Sequence, residues 1–157
     1  MTDRSKLLKD LTDHRTSVRT TAVRGLGKSG SAEAVPALIS SLKDDQKVVR
    51  CEAALALGKI GDAGAVPALI TLLGDTEQDA RLAAMVALGK IKDRSAVPPL
   101  IACLHDRDMR IRVGAIETLA ATGDPRAIDP IRAMLQDRFS DVREAAQQAI
   151  TRLEKKR

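Results

Sequence analysis

The sequence contains very few aromatic residues. Phe139 is the only aromatic side chain among 157 residues, and tryptophan and tyrosine are absent. A packed core must therefore be built from alanine, leucine, valine and isoleucine, whose small side chains let helices approach one another closely. The same shortage removes the stacking platform on which proteins bind single-stranded nucleic acid.

Cysteines and long apolar runs are also scarce. The two cysteines, Cys51 and Cys103, lie far apart and match no metal or redox spacing, so we expect reduced thiols in a cytoplasmic protein. No stretch approaches the ~20 apolar residues of a membrane-spanning helix. The N-terminal MTDRSKLLKDL lacks the apolar run of a signal peptide. The net charge of +5 is mild enough for a role in solubility to explain it.

What the sequence has in abundance is repetition. An arginine recurs every 31 residues, and an aspartate stands six residues before each of these arginines. A fixed period of this length is typical of stacked repeat proteins. The arginine column consists of Arg19, Arg50, Arg81, Arg112 and Arg143, and the aspartate column of Asp13, Asp44, Asp75, Asp106 and Asp137.

Each repeat contains two helical patterns, as the second repeat (residues 44–75) shows. Apolar residues at helical spacing predict a first, A-type helix over 46–60. Asp44 or Asp45 is placed to cap its start, and Gly58 and Gly61 mark its end.

A second, B-type helix is predicted to start near Asp62. Pro67 lies early in this helix, where proline is tolerated, so we expect an irregular first turn. The short connections between the helices require antiparallel hairpins.

These patterns predict one all-α domain spanning residues 1–157. It begins with a lone helix over 5–11, continues with repeats starting near residues 13, 44, 75 and 106, and ends with a half-repeat over 137–157. The last A-type helix carries Glu144, Gln147 and Gln148 where central units carry apolar residues. A terminal repeat needs such a polar outer face, so we expect a cap.

The pattern D-x5-R, A-x3-L-G-K-I-G-D and A-V-P-x-L-I-x-x-L resembles the HEAT-repeat family, in particular the short HEAT-like repeats named after phycobilisome lyases. The resemblance implies a gently curved α-solenoid, a structural Asp–Arg ladder, and B-type helices that line the concave side. It covers essentially the whole chain. The residues that carry it are Asp44, Arg50, Ala53, Leu57, Gly58, Lys59, Gly61, Asp62, Val66, Pro67, Leu69 and Leu73, with their counterparts in other units.

The repeated charges are interpreted as structural. Arg19 points only ~20° away from the core residue Leu26 on an ideal helix, so the arginine column lies on the inner face. A buried guanidinium needs partners, and the aspartate six residues earlier can supply one within or between repeats. A second basic column consists of Lys28, Lys59 and Lys90; helix-dipole complementarity and solvation explain it, and nucleic-acid binding is the alternative.

A partner is expected on the side of the B-type helices that points away from the core. This surface, the helix-B face, is small-featured and nearly uncharged, which suits an extended peptide or an amphipathic helix and suits DNA poorly. Its flank, Ser41, Leu72, Cys103 and Met134, either packs between adjacent B-type helices or forms an apolar binding edge. The helix-B face comprises this flank and Glu33, Ala37, Ser40, Ala68, Thr71, Ser95, Pro99, Ala102, Arg126, Pro130 and Ala133.

The opposite side of the array offers its own semi-exposed apolar residues. These are Leu55, Leu82 and Val86 on the central A-type helices. We expect packing between repeats to account for them.

No catalytic, cofactor or metal residues are predicted. The HEAT-like proteins that the sequence resembles include a metal-dependent hydroxylase, whose repeated His-Glu pairs supply the metal ligands. In this sequence His14 is followed by arginine and His105 by aspartate, so neither forms such a pair. We therefore predict a non-catalytic protein-interaction scaffold of a prokaryotic cytoplasm, either a monomer or a weak homo-oligomer. The alternative is an accessory or chaperone-like subunit of a chromophore-lyase-type or other HEAT-like enzyme; nucleic-acid binding is the weakest of the three.

Overall fold

The computed structural model describes residues 3–155, which form α-helices and short 3₁₀ turns. The chain divides into two compact units, residues 1–91 and residues 92–157. The A-type helices begin every 31 residues, and four of them are 14 residues long. The 31-residue period of the sequence is therefore also the interval at which the A-type helices begin.

The first unit contains six α-helices. Its A-type helices pack side by side, α2 on α4 and α4 on α6, and each B-type helix packs on the A-type helix that follows it. Two 3₁₀ turns, Ala32–Ala34 and Ala63–Ala65, precede α3 and α5. The helices are α1 (Arg4–Asp10), α2 (Thr16–Ser29), α3 (Val35–Ser41), α4 (Lys47–Ile60), α5 (Val66–Leu72) and α6 (Gln78–Ile91).

The second unit contains four α-helices. The A-type helices α8 and α10 pack against each other, and α7 packs on α8 as α9 packs on α10. The helices are α7 (Val97–Cys103), α8 (Met109–Thr122), α9 (Ile128–Ala133) and α10 (Ser140–Glu154), with 3₁₀ turns at Arg94–Ala96, Pro125–Ala127 and Met134–Gln136.

The irregular start expected for the B-type helices is a 3₁₀ turn. Asp62 accepts a hydrogen bond from the Gly64 N–H at 2.7 Å and caps this turn, which leads into α5. Pro67 then stands in the first turn of α5, where its missing N–H costs no helical hydrogen bond. The proline is therefore tolerated, because the capped 3₁₀ turn before it supplies the hydrogen bonds of the backbone that leads into α5.

The core consists of aliphatic side chains repeated at the 31-residue interval. Leu26, Leu57 and Leu88 of the A-type helices are completely buried, as are Leu38 and Leu69 of the B-type helices. A fully buried leucine contributes about 1.5–3 kcal/mol through the apolar surface removed from water. The core that the composition predicted, without aromatic residues, is therefore present in each unit.

Gly58 has a different function from the one its position suggested. It lies buried inside α4 rather than ending it, and a Cβ placed there would lie 2.6 Å from the Cα of Ala87. Gly58 therefore permits close contact between α4 and α6. The end of α4 is marked by Gly61, whose φ of +79° is left-handed, a conformation that glycine adopts without a Cβ clash.

Lys92 is the exception among the residues that follow the A-type helices. It has φ +60°, whereas Gly30, Gly61 and Gly123 occupy the corresponding left-handed position in other repeats. An L-residue with a side chain pays roughly 1–2 kcal/mol for left-handed helical geometry. Lys92 is thus a local site of backbone strain.

Candidate binding surface

The helix-B face of the first unit is formed by short side chains on α3 and α5. Ser40 and Thr71 are exposed at equivalent positions, and Ala37 and Ala68 are half-buried beside them. The hydroxyl groups of Ser40 and Thr71 each donate to the carbonyl four residues earlier, at 3.2 Å. These hydroxyls are therefore turned toward their own helices, which leaves a surface dominated by methyl and methylene groups.

Two shallow grooves cross this surface. Groove 1, of about 320 Å³, lies between α1 and α3, and groove 2, of about 430 Å³, lies between α3 and α5. The linings of the two grooves are related by the 31-residue repeat. Two equivalent pairs of helices therefore form two equivalent grooves. The equivalent lining pairs are Leu8/Ile39, Leu11/Leu42, Thr12/Lys43, Ala37/Ala68, Ser40/Thr71, Ser41/Leu72 and Asp44/Asp75.

Four leucine and isoleucine residues of the grooves were not among the predicted site residues. Ile39 and Leu42 both line groove 2, where Ile39 is half-buried and Leu42 is buried. Leu8 and Leu11 line groove 1 from α1 and from the residue that follows it. The signal was present in the sequence, since Leu8 and Leu11 precede Ile39 and Leu42 by one full period.

The flank of the helix-B face is largely inaccessible. Leu72 is 5% exposed and Met134 8% exposed, and Ser41 is equally buried; Cys103 is half-buried. Of the two interpretations of this flank, the structure therefore supports packing rather than an apolar binding edge. Replacing Leu72 or Met134 with a charged residue would test the core and not the surface.

In the second unit the helix-B face is again small-featured. Ser95, Ala102 and Ala133 are exposed, and Pro99 and Pro130 are half-buried. The Ser95 hydroxyl donates to Asp93 at 2.6 Å. This part of the face presents carbon atoms more than free polar groups.

The two charged residues of the helix-B face are already paired. Glu33 forms an ion pair with Arg4 of α1. Arg126 binds the carboxylate of Asp124 through Nη2 at 2.8 Å and Nε at 3.1 Å. The hydrogen bonds from Arg126 lower the pKa of the nearly buried Asp124 to about 2, against an opposing effect of desolvation. These pairs are internal links of their units.

The arginine column makes a repeated ion pair whose partner lies in the following repeat. Arg19 donates to Asp44 through Nε (2.8 Å) and Nη2 (2.9 Å), and Arg50 donates to Asp75 in the same way at 2.8 and 3.0 Å. Arg112 repeats the geometry with Asp137 in the second unit. A bidentate pair of this kind fixes geometry as well as charge.

The aspartate six residues before each arginine accepts a hydrogen bond from that arginine through its main-chain carbonyl oxygen and not through its carboxylate. The Nη1 group of Arg50 donates to the carbonyl oxygens of Asp44 (2.8 Å) and Asp45 (3.2 Å). The carboxylate of Asp44 is free for Arg19 and for the Gln46 N–H. The arginine side chain thus connects its own turn to the carboxylate 25 residues later. Of the two pairings that the sequence left open, within or between repeats, the carboxylates take the one between repeats.

Two arginines depart from this geometry. Arg81 donates through Nη1 to the carbonyl oxygens of Asp75 and Thr76, but its buried Nε has no hydrogen-bond partner in the described part of the chain. Arg143, in the last A-type helix, is exposed and donates to the Asp137 carbonyl at 2.8 Å. Arg143 therefore keeps the hydrogen bond to the main chain of its own turn, as the other arginines do.

Electrostatics within the ion pairs favour the charged carboxylates. Burial raises the pKa of Asp44 and Asp75, but the hydrogen bonds from Arg19 and Arg50 and from the backbone outweigh it and lower the pKa overall. For Asp137, the hydrogen bond from Arg112 is the largest cause of a lowered pKa. The contribution of these groups to stability is present above the pKa of an unfolded aspartate and is lost as the pH falls below it.

The A-type helices of the first unit expose apolar side chains on their outer face. Leu55 is 39% exposed and Val86 48% exposed, and Leu82 is half-buried. Packing between repeats was expected to account for all three residues. Of the three, only Leu82 is partly covered in this way. Leu55 and Val86 are in contact with solvent.

Further predicted features lie in exposed positions. Lys28, Lys59 and Lys90, near the C-terminal ends of their helices, are all exposed. His14 and His105 are exposed in the inter-repeat turns. Across residues 3–155 no three His, Cys, Asp or Glu side chains form a group suited to a metal ion, and no helix there is long and apolar enough to cross a membrane.

The helix arrangement defines an all-α helical-repeat solenoid. The sequence matches the family of HEAT repeats over residues 5–88 and again over residues 66–151. The chain belongs to the HEAT-repeat family. Comparison with curated proteins gives no significant match.

Solved structures share this fold. One chain in the complex of CpcE and CpcF of phycocyanin lyase from Nostoc sp. PCC7120 superposes with a TM-score of 0.85 at 30% identity, over 99% of this chain and 66% of that one. The present chain thus spans about two thirds of that relative's length. This similarity agrees with the predicted phycobilisome-lyase type of repeat.

Artificial repeat proteins show the same fold at lower identity. A designed armadillo repeat protein in complex with the peptide (KR)4 superposes with a TM-score of 0.74 at 21% identity, over 95% of this chain and 81% of that one. An engineered protein superposes with a TM-score of 0.71 at 24% identity, over 97% and 79% of the two chains. At these identities the likeness concerns the fold alone.

Proposed function

We propose that this protein is a non-catalytic scaffold that binds an extended segment of a partner protein across its helix-B face. The observation that carries the proposal is the pair of equivalent grooves on the first unit. A repeated groove suits a ligand whose side chains also recur along its length, as those of an extended peptide do.

The chemistry of the grooves suggests which side chains they accept. Their walls are aliphatic, from residues such as Leu8, Leu11, Ile39 and Leu42. The aspartates at their ends, Asp44 and Asp75, are bound by arginine, and groove 2 also has the exposed Lys43 at its edge. Aliphatic ligand side chains therefore fit the grooves better than charged ones, because burying an unpaired charge is costly.

The test uses substitutions at accessible positions rather than at the buried flank. Ser40→Arg and Thr71→Arg would each fill a groove with a long charged side chain. Thr151→Arg is the matched control, since the exposed Thr151 hydroxyl also donates to the carbonyl four residues earlier, at 3.0 Å, but lies on α10. All three variants are expected to keep the circular-dichroism spectrum of the wild type.

The ligand is obtained by selecting from a displayed library of random linear peptides against the purified chain. Fluorescence anisotropy then compares the affinity of the selected peptides for each variant. We expect aliphatic residues to be enriched, Ser40→Arg and Thr71→Arg to weaken binding at least tenfold, and Thr151→Arg to leave it unchanged. The proposal fails if selection yields no binder or if binders tolerate both groove substitutions.

The second candidate function is an accessory subunit of a chromophore lyase. It is favoured by the structural similarity to the phycocyanin lyase chain at 30% identity. Titration of the purified chain with a free bilin, followed by absorbance, tests it directly. A saturable spectral change would favour this function over the scaffold, whereas an unchanged bilin spectrum would argue against it.

A further inference from the structure

The outer face of the A-type helices in the first unit is formed by equivalent positions on α4 and α6, which share an apolar residue and a lysine. On α4 the positions 48, 51, 55 and 59 follow helical 3-4-4 spacing and hold Val48, Cys51, Leu55 and Lys59; the equivalent positions on α6 hold Asp79, Leu82, Val86 and Lys90. Because this spacing keeps residues on one side of a helix, each helix presents one stripe. The two stripes lie on neighbouring helices that pack directly together.

The middle of these stripes is apolar and accessible. Val48, Leu55 and Val86 are among the few large apolar residues of the described chain that are exposed. The equivalent positions of α2 and α10 hold Arg24 and Gln148 in place of Leu55 and Val86. The apolar surface is thus confined to the central A-type helices and is not a general requirement of the repeat.

The two ends of the α6 stripe carry opposite charge. Glu77 and Asp79 lie at the N-terminal end of α6, together with Lys47, whose Nζ lies 2.8 Å from Asp79 and 3.7 Å from Glu77. The C-terminal end carries the lysines at 59 and 90. Of these groups, one end is net negative and the other net positive.

We propose that this outer face is a self-association surface, occupied by the same face of a second copy of this chain. A two-fold axis perpendicular to the helices would place α6 antiparallel to α6 of the other copy. Asp79 of each copy would then face Lys90 of the other, with Leu82 and Val86 between them. A two-fold interface requires such self-complementarity, and a surface with like charge at both ends would not provide it.

The size of the patch sets the strength of the association. The eleven residue steps from the first to the last position of a stripe span about 16 Å along the helix, and two neighbouring helices are about 8–10 Å apart. The patch therefore covers on the order of 300 Å², well below the roughly 800 Å² per partner of a stable interface. The dimer is accordingly a weak and transient one.

Sedimentation equilibrium of the full chain between about 5 and 500 μM tests the proposal. The weight-average mass should rise with concentration from 16.8 kDa towards twice that value. Leu55→Glu and Val86→Glu should each weaken association at least tenfold. Gln148→Glu, at the equivalent position of α10, is the matched control and should leave the association unchanged.

A charge exchange tests the orientation with exposed groups only. Asp79→Lys and Lys90→Asp should each weaken the dimer, and the double variant should restore it, because the exchange recreates both intermolecular pairs. Circular dichroism verifies the fold of every variant. A monomer at every concentration, association that survives both glutamate substitutions, or a double variant no stronger than either single one would each overturn the proposal.

Discussion

Replacing Arg50 with methionine would remove the ion pair between consecutive repeats while keeping most of the side-chain volume. In the folded protein Arg50 is 13% exposed and Asp75 11% exposed. The substitution deletes two hydrogen bonds to the Asp75 carboxylate and two to the carbonyl oxygens of Asp44 and Asp45. Asp75 would retain the hydrogen bond from the Glu77 N–H.

The expected cost follows from the partial burial of the pair. Removing one partner of a fully buried pair costs about 3–5 kcal/mol, because the remaining charge is left uncompensated. Since the Asp75 carboxylate keeps some contact with water and one backbone donor, we expect Arg50→Met to lower the free energy of unfolding by about 2–3 kcal/mol.

Arg143→Met is the matched control, because Arg143 is exposed and its described hydrogen bond is a single one, to the Asp137 carbonyl. Its loss should cost about 0.5–1.5 kcal/mol, the value of one ordinary hydrogen bond. Urea unfolding followed by circular dichroism measures both variants, and an unchanged denaturant slope shows that the comparison is valid.

A double-mutant cycle with Asp75→Asn isolates the interaction between the two side chains. We expect a coupling free energy of about 1–3 kcal/mol, as for contacting residues in one hydrogen-bond network. The reasoning is refuted if Arg50→Met costs no more than Arg143→Met, or if the coupling is close to zero.

Three further predictions follow from local geometry. Lys92→Gly should raise the free energy of unfolding by about 0.5–1 kcal/mol by relieving left-handed strain, and the reverse change, Gly61→Lys, should lower it in urea unfolding. Gly58→Ala should destabilise by about 1–2 kcal/mol because its methyl group meets the backbone of α6; Gly74→Ala, with only an ordinary contact at 3.5 Å, should not. The folded-state pKa of Asp124, about 2, lies below that of an unfolded aspartate, so the stability difference between wild type and Asp124→Asn should shrink as the pH falls from about 4 to 2. A difference that is constant over this range would show that the Asp124–Arg126 pair does not stabilise the fold.

The helices could be predicted from the sequence because their signals are local and repeated. The A-type helix expected over 46–60 is observed as Lys47–Ile60, and the first helix, expected over 5–11, is observed as Arg4–Asp10. Helical spacing also indicated that the arginine column points inward. Each of these features depends only on residues within one turn or one helix.

Features that depend on how hairpins stack could not be predicted in this way. The sequence left open whether each arginine pairs within or between repeats, and only the structure shows that the carboxylate partner of Arg50 lies 25 residues later, in the next repeat. The burial of Leu72 and the exposure of Leu55 are likewise decided by the packing of neighbouring helices. Spacing alone assigned a helix end to Gly58, which instead serves the contact between two A-type helices.

The central claim, that the helix-B face is the binding surface, is tested most directly by methyl chemical-shift mapping of the chain with a selected peptide. Isoleucine, leucine and valine methyl groups occur both in the grooves, at Leu11, Ile39 and Leu42, and on the outer face, at Leu55 and Val86. Recorded at about 20 μM protein, where self-association is weak, the spectra should shift at the groove methyl groups and stay unchanged at the outer ones. Shifts confined to Leu55 and Val86 would contradict the claim.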